Sequence, residues 1–335
     1  MARSVRIGLV GDVMLGRNVD RRATTRDPEA VWGDLLDRLR SLDGLLVNLE
    51  CCLSTRGEKW SETYRPFHFR ASPDWATEAL AAAGVDFACL ANNHLMDYGE
   101  VALRDTLETL DEAGIAHAGA GETMREAARP AVFEVGDLTV AAVAFTDNIP
   151  EYAAGPSSPG VARVEADLSD RESRETVTRA LDAARESDPA LLVASVHLGP
   201  NMVAEPDPER RAFAQWLAES GVDVVHGHSA HVFQGVEVYD GRTILHDAGD
   251  FVDDYAVDED FRNDRSFLFE MEVTPDGRPL ELRLVPIQIA DCAVHRPDDR
   301  CVEWCCETMR ERSEPFGSAE AFERDGRELV LDLAD

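Results

Sequence analysis

Short apolar runs and helix-periodic segments alternate along most of the chain. "SVRIGLVGD" (4–12) is an apolar run closed by Gly11-Asp12, and "PEAVWGDLLDRLRSL" (28–42) carries apolar residues at three-to-four spacing and predicts a helix. "GLLVNLE" (44–50) reads as a buried strand. "SPDWATEALAAAG" (72–84) reads as a helix with Ser72 as N-cap, Pro73 at its first position and Gly84 at its end. "VDFACLANNH" (85–94) is a strand, the segment 99–114 a helix ending at Gly114, and "IAHAG" (115–119) a short strand. "AVFEVGDLTVAAVAFT" (131–146) predicts two strands joined at Gly136-Asp137. After the loop "EYAAGPSSPG" come a helix near 165–187, the strand "ALLVASVH" (190–197), the helix "DPERRAFAQWLAESG" (207–221) and the strand "VDVVHG" (222–227). From 231 to 289 the pattern turns mostly to β, with "DGR" hairpin turns at 240–242 and 276–278.

Strand–helix alternation predicts an α/β protein, and the late hairpins predict a second, mixed or antiparallel sheet. The expected architecture is a layered α/β/β/α sandwich of two sheets spanning 1–290, followed by a peripheral helical extension over 291–335.

The strands share a feature. The first ends at Asp12, the second at Asn48-Leu49-Glu50, the third at Asn92-Asn93-His94, and the two late ones at His197 and at His226-Gly227-His228, with His231 just beyond. In open α/β sheets ligands sit in the crevice at the carboxyl ends of strands. Asp12, Glu50, Asn93, His197, His228 and His231 can therefore converge. Imidazole, carboxylate and amide oxygen together suit Mn, Fe or Zn. Pairs of such ions hold the attacking and leaving oxygens in phosphate-ester hydrolysis.

The charge narrows the partners. Sixty-five acidic residues stand against 33 basic ones, a net charge of −32, and Lys59 is the only lysine. A basic footprint for nucleic acid is absent. The acid fits either a cation-rich, anion-repelling site or a surface adapted to high salt, and the composition resembles that of halophilic proteins. No window approaches the ~18 apolar residues of a membrane helix, and the first residues show no secretion signal, so a cytoplasmic protein is expected. Seven cysteines without C-x-x-C spacing argue against a zinc knot or a disulfide framework. Cys301 and Cys305 fall on one face of a predicted helix and are expected in the core.

"GDVMLGR", "VNLE", "LANNHLMDYG", "HLG", "GHSAHVFQGVEVYDG" and "ILHDAGDF" together resemble the CapA-type poly-γ-glutamate capsule biosynthesis family, itself similar in fold to calcineurin-like metallophosphoesterases. The resemblance spans roughly residues 5–255. It implies a site for one or two divalent ions, with Asp12, Glu50 in the bridging place, Asn93, His197, His228 and His231 as ligands. His94 then faces the leaving group. His226 falls outside the motif and is expected to pack or hydrogen-bond. Met14 stands where typical metallophosphoesterases carry a histidine, which leaves one ion position with only Asp12, Glu50 and a histidine. Leu198 and Asn201 depart from the family's His-Trp-Gly-x-Glu, and Asp250 from its Gly-Asn-Phe. Asp97, three residues after His94, is read either as its orienting carboxylate or as the N-cap of the helix over 99–112. Arg17 is read either as an anion-holding residue or as a surface ion pair.

Two functions lead, and a third, a soluble metal-storing scaffold, is disfavoured by Met14 in place of the expected histidine. One is a metal-dependent hydrolase acting on an anionic substrate, either a phosphate ester or a polyglutamate-like amide. The other is a non-catalytic polymer-handling or assembly protein with a structural metal site.

Overall fold

The computed structural model describes residues 3–334. Two sheets face each other. In the first, the central parallel strands Val5–Val13, Gly44–Leu49, Val85–Cys89 and Ala116–Ala118 are flanked on one side by the antiparallel pair Arg265–Val273 and Pro279–Ala290. In the second, Leu138–Thr146, Leu191–His197, Val224–His228 and Arg242–Leu245 run parallel, and Ala131–Val135 and Val236–Tyr239 add antiparallel edges.

Side-chain alternation along these strands builds the layers. Leu191 and Val193 join Ile7, Leu9 and Phe87 between the sheets, while Leu192, Ala194 and Val196 face Val177 and Leu181 of the helix Arg171–Arg185 and Phe213 and Leu217 of Pro208–Glu219. On the far side, Leu45, Val47 and Ala88 meet Ala76 and Leu80 of Pro73–Ala83 and Leu103 and Leu110 of Gly99–Ala113. The α/β/β/α sandwich expected from the pattern is the fold observed. The parallel strands of both sheets bring their carboxyl ends to one edge.

Several expectations are corrected. The late hairpins do not make a sheet of their own. Val236–Tyr239 and Arg242–Leu245 extend the second sheet, whereas Arg265–Val273 and Pro279–Ala290 extend the first. The segment 28–42 is not one helix. A 3-10 stretch, Pro28–Leu35, is broken at Gly33 (φ 48°) before the short helix Leu36–Leu39, because the strand Ala293–His295 passes close: a Cβ on Gly33 would lie 2.1 Å from the carbonyl oxygen of Val294. Ser72 sits at the N-cap of Pro73–Ala83 without a side-chain capping bond, and Gly84 (φ 73°) closes that helix. The segment after 290 is neither wholly helical nor peripheral. Its helix Asp299–Ser313 buries Cys301, Cys305, Cys306 and Met309 in the inter-sheet core, and the hairpin Phe322–Asp325/Glu328–Asp332 pairs with Pro279–Ala290. Among the described residues, no helix is long and apolar enough to cross a membrane.

Candidate metal centre

Parallel registration assembles the site. Asp12 lies opposite Asn48 in one neighbouring strand and opposite Asp250 in the short strand Asp250–Val252 on the other side; His197 lies opposite His228 in the second sheet. Asp12, Glu50, His197, His228, His231 and Asp250 are all buried. They form two groups whose ligand atoms lie within 4.8 Å of one another: Asp12 with His197 and His228, and Asp12 with Glu50, His231 and Asp250. Asp12 belongs to both, whereas Glu50, expected in the bridging place, belongs to the second alone. Asp250 adds a carboxylate to the second group, which was expected to hold only Asp12, Glu50 and a histidine because Met14 replaces the usual second histidine. Met14 is buried with its sulfur accepting the Gly16 N–H at 3.1 Å, so it serves the backbone turn instead.

Neighbouring side chains orient these groups. Asn48 donates to Asp12 Oδ1 at 2.7 Å, and Tyr255 donates from its hydroxyl to Glu50 Oε2 at 3.0 Å. Ser195 Oγ lies 3.0 Å from His228 Nε2, which leaves the Nδ1 edge of that ring facing His197 Nδ1 at 2.9 Å. His226 is spent elsewhere: its Nε2 bonds the Val10 carbonyl at 2.9 Å and its Nδ1 lies 3.3 Å from Ser195 Oγ. His231 occupies a left-handed backbone position (φ 59°), two residues after Ser229 (φ 120°). Asp247 clamps this strained loop, its two carboxylate oxygens accepting the N–H of Ala230 at 2.7 Å and of Gly249 at 2.8 Å.

Donor chemistry fits a cation. Asp12 Oδ2, Glu50 Oε1, Asp250 Oδ2 and Asn93 Oδ1 are buried oxygens without a hydrogen-bond partner, a costly condition unless a positive ion meets them. His231 Nδ1 bonds Asp250 Oδ1 at 2.8 Å and lies 3.3 Å from Asp12 Oδ2. Burial holds His197 neutral, with its pKa pulled down to about 3, and pushes His228 the same way with help from the fields of His197 and His226. Neutral imidazoles keep the lone pair that a metal takes. Burial raises Glu50, with Asp12 adding repulsion, and it raises Asp250. Against burial, contact with His231 and the fields of the three nearby histidines hold Asp12 below the usual carboxylate range. Despite burial, His231 is raised by Asp250 and Glu50. So much carboxylate in one dry pocket calls for more positive charge than one imidazolium.

His94 stands beside the second group. Its Nδ1 meets Asp97 Oδ2 at 2.6 Å, its Nε2 lies 4.0 Å from Glu50 Oε1, and its ring stacks on Phe69 at 3.8 Å. Asp97 is buried, and the N-cap of Gly99–Ala113 is Tyr98, so the orienting reading of Asp97 describes the geometry and the capping reading does not. The Phe69 N–H and the Tyr152 hydroxyl hold the same carboxylate at 2.7 and 3.0 Å. Arg17 pairs with Asp254 at 3.2 Å, its side chain 32% exposed, and lies over Phe67 and Phe69.

Reading the chain by motif named Asp250 only as a departure from the family's Gly-Asn-Phe, not as a ligand, and missed Tyr255 and Asp247. For Asp250 a signal existed: an acid in a short apolar stretch, "ILHDAGDF".

The two-sheet sandwich, with histidine and carboxylate groups gathered at one strand edge, is a metallophosphoesterase-like fold. The crystal structure of a novel phosphatase from Mycoplasma pneumoniae shares the fold, covering 90% of this chain and 98% of its own with a TM-score of 0.53 at 14% identity. The chain belongs to the family described as bacterial capsule synthesis protein PGA_cap, which matches residues 6–255. It is similar to a "Probable polyglutamine synthesis accessory protein" of Mycobacterium tuberculosis, 31% identical over 93% of this chain and 92% of that protein. It is also similar to the "Capsule biosynthesis protein CapA" of Bacillus anthracis, 27% identical over 84% of this chain and 67% of that one.

Proposed function

We propose that the protein is a metal-dependent hydrolase that cleaves a phosphate ester or a polyglutamate-like amide in the handling of an anionic polymer. The observation that carries this reading is the placement of the His94–Asp97 pair next to two donor groups that share Asp12. Asp12, His197 and His228 would hold one divalent ion, and Asp12, Glu50, His231 and Asp250 a second, with the Asn93 amide oxygen as a further ligand. Divalent ions held in this way make water nucleophilic near neutral pH and stabilise charge on the leaving oxygen. Asp97 fixes the ring of His94 through Nδ1, and His94 Nε2 gives a proton to the departing oxygen or nitrogen. Phe69, stacked on the ring, keeps water from one face of it. Arg17, neutralised by Asp254, fits the ion-pair reading rather than the anion-holding one.

The accessory-protein name of the mycobacterial relative motivates the rival reading, an assembly component whose metals are structural. The discriminating experiment is turnover of a generic phosphodiester and of a γ-glutamyl amide by protein reconstituted with Mn or Zn. Metal-dependent turnover of either supports the hydrolase. A fully metallated protein inert on the whole panel favours the assembly component.

A further inference from the structure

The segment 54–70 is locally basic in a very acidic protein: Arg56, Lys59, Arg65 and Arg70 stand against Glu58 and Glu62. It also carries the most exposed large apolar side chains among the described residues, Tyr64 at 90% and Phe67 at 55%. Arg65 behaves differently from its neighbours. Its side chain is only 9% exposed, its Nη2 donates to the Asn93 carbonyl at 2.7 Å, and its guanidinium lies over the Tyr152 ring at 4.9 Å.

A buried guanidinium ordinarily meets a carboxylate that neutralises it. The nearest is Asp97, with Oδ1 4.0 Å from Nη2, beyond hydrogen-bond reach. That carboxylate is already engaged by His94, the Phe69 N–H and the Tyr152 hydroxyl. Nη1 of Arg65 is buried and has no partner. The charge is therefore held at the Asn93–His94 corner of the metal centre with donor capacity unused. Arg17, by contrast, has Asp254 as its counter-ion.

We propose that Arg65 is the anion-recognition residue of this centre, its free Nη1 donating to a non-reacting anionic oxygen of the substrate. This rests on the reading of the site as one that takes an anionic substrate. The planar guanidinium suits phosphoryl and carboxylate oxygens alike, since both accept charge-assisted N–H bonds in its plane. Nη2 keeps the Asn93 backbone in place while Nη1 holds the ligand, so recognition is tied to the loop that bears Asn93 and His94.

The test is calorimetric titration of the metal-loaded protein, wild type and Arg65→Lys, with inorganic phosphate and separately with γ-glutamyl-glutamate. Metal content and thermal midpoint are measured on the same samples. Lysine retains the charge and one donor for the Asn93 carbonyl but loses the second fork. The expected result is an affinity about ten- to a hundred-fold weaker for at least one probe, with metal content kept. Loss on phosphate alone identifies a phosphoryl group, and loss on the dipeptide alone a carboxylate. Affinities within about twofold of wild type, or a wild-type protein that binds neither probe, overturn the assignment. Should Arg65→Lys not fold, Arg65→Gln, which retains an amide N–H for Asn93, is measured by the same criteria. Binding without any turnover counts against the hydrolase and leaves Arg65 in place; turnover with unaltered binding in the variant counts against Arg65 alone.

Discussion

Asp12 and Asp250 face each other across two parallel strands, in register, although they lie 238 positions apart (250 − 12) in a chain of 335 residues. Asp250 also accepts from His231 Nδ1 at 2.8 Å, which ties the second donor group together. Asp250→Ala is expected to remove the ion held by Asp12, Glu50 and His231 and to leave the one held by His197 and His228. Elemental analysis should show about one equivalent of metal fewer than wild type. Unchanged stoichiometry would show that Asp250 is not a ligand.

The three clustered histidines should separate by role. His228→Ala is expected to lower metal content, because its Nδ1 edge faces His197 and Asp12. His226→Ala is expected to keep metal and to cost about 1–3 kcal/mol, since the buried Val10 carbonyl loses its donor. Elemental analysis with urea unfolding checks both. Equal metal loss in the two variants would reverse the assignment.

The acid surface predicts a salt response. With 65 acidic residues against 33 basic, repulsion outweighs the surface ion pairs. Screening shortens from ~10 Å at 0.1 M to ~3 Å at 1 M. The thermal midpoint should climb by several degrees over that range, as read by calorimetry. A flat or falling midpoint would contradict adaptation to high salt.

Glu237 predicts an acid limb of stability away from the metal centre. It accepts from Arg211 at 2.9 Å and Gln215 at 2.8 Å and lies 2.8 Å from His246 Nε2. Burial alone would raise its pKa, but these contacts outweigh burial and hold it at about 2, below an ordinary 4.5. A carboxylate depressed in the folded state stabilises above its unfolded pKa, and that stability is lost as pH falls from about 4.5 toward 2. The contribution is on the order of 2–3 kcal/mol. Urea midpoints of wild type should drop more steeply between pH 5 and 3 than those of Glu237→Gln. Parallel curves would refute the assignment.

Much of this site was legible because polar residues close apolar strands at one kind of position. Asp12, Glu50, Asn93, His197 and His228 each follow such a run, and the parallel topology implied by strand–helix alternation gathers those ends. Asp250 was not legible in the same way. Its strand has three residues, too short for a periodic signal, and it pairs with Asp12 only through the tertiary fold. Arg65 lies in a loop without periodicity, where burial is decided by distant contacts with Asn93 and Tyr152. The break at Gly33 comes from a strand that approaches from the far end of the chain. The C-terminal hairpin is different: Asp325-Gly326-Arg327 repeats the turn signal seen at 240–242 and 276–278, but its strands are mostly charged and so resemble solvent-facing helix.

His94 carries the central claim, because it touches the reacting group in the proposed mechanism without being a ligand. The decisive measurement is metal content and turnover on the same preparations of wild type, His94→Gln and Asn93→Ala. General acid help is worth about 10²–10⁴-fold in rate. His94→Gln should keep its metals and lose turnover by about that factor, while Asn93→Ala should lose metal and turnover together. A His94→Gln protein that keeps both metals and wild-type turnover would contradict the account, as would one that loses its metals.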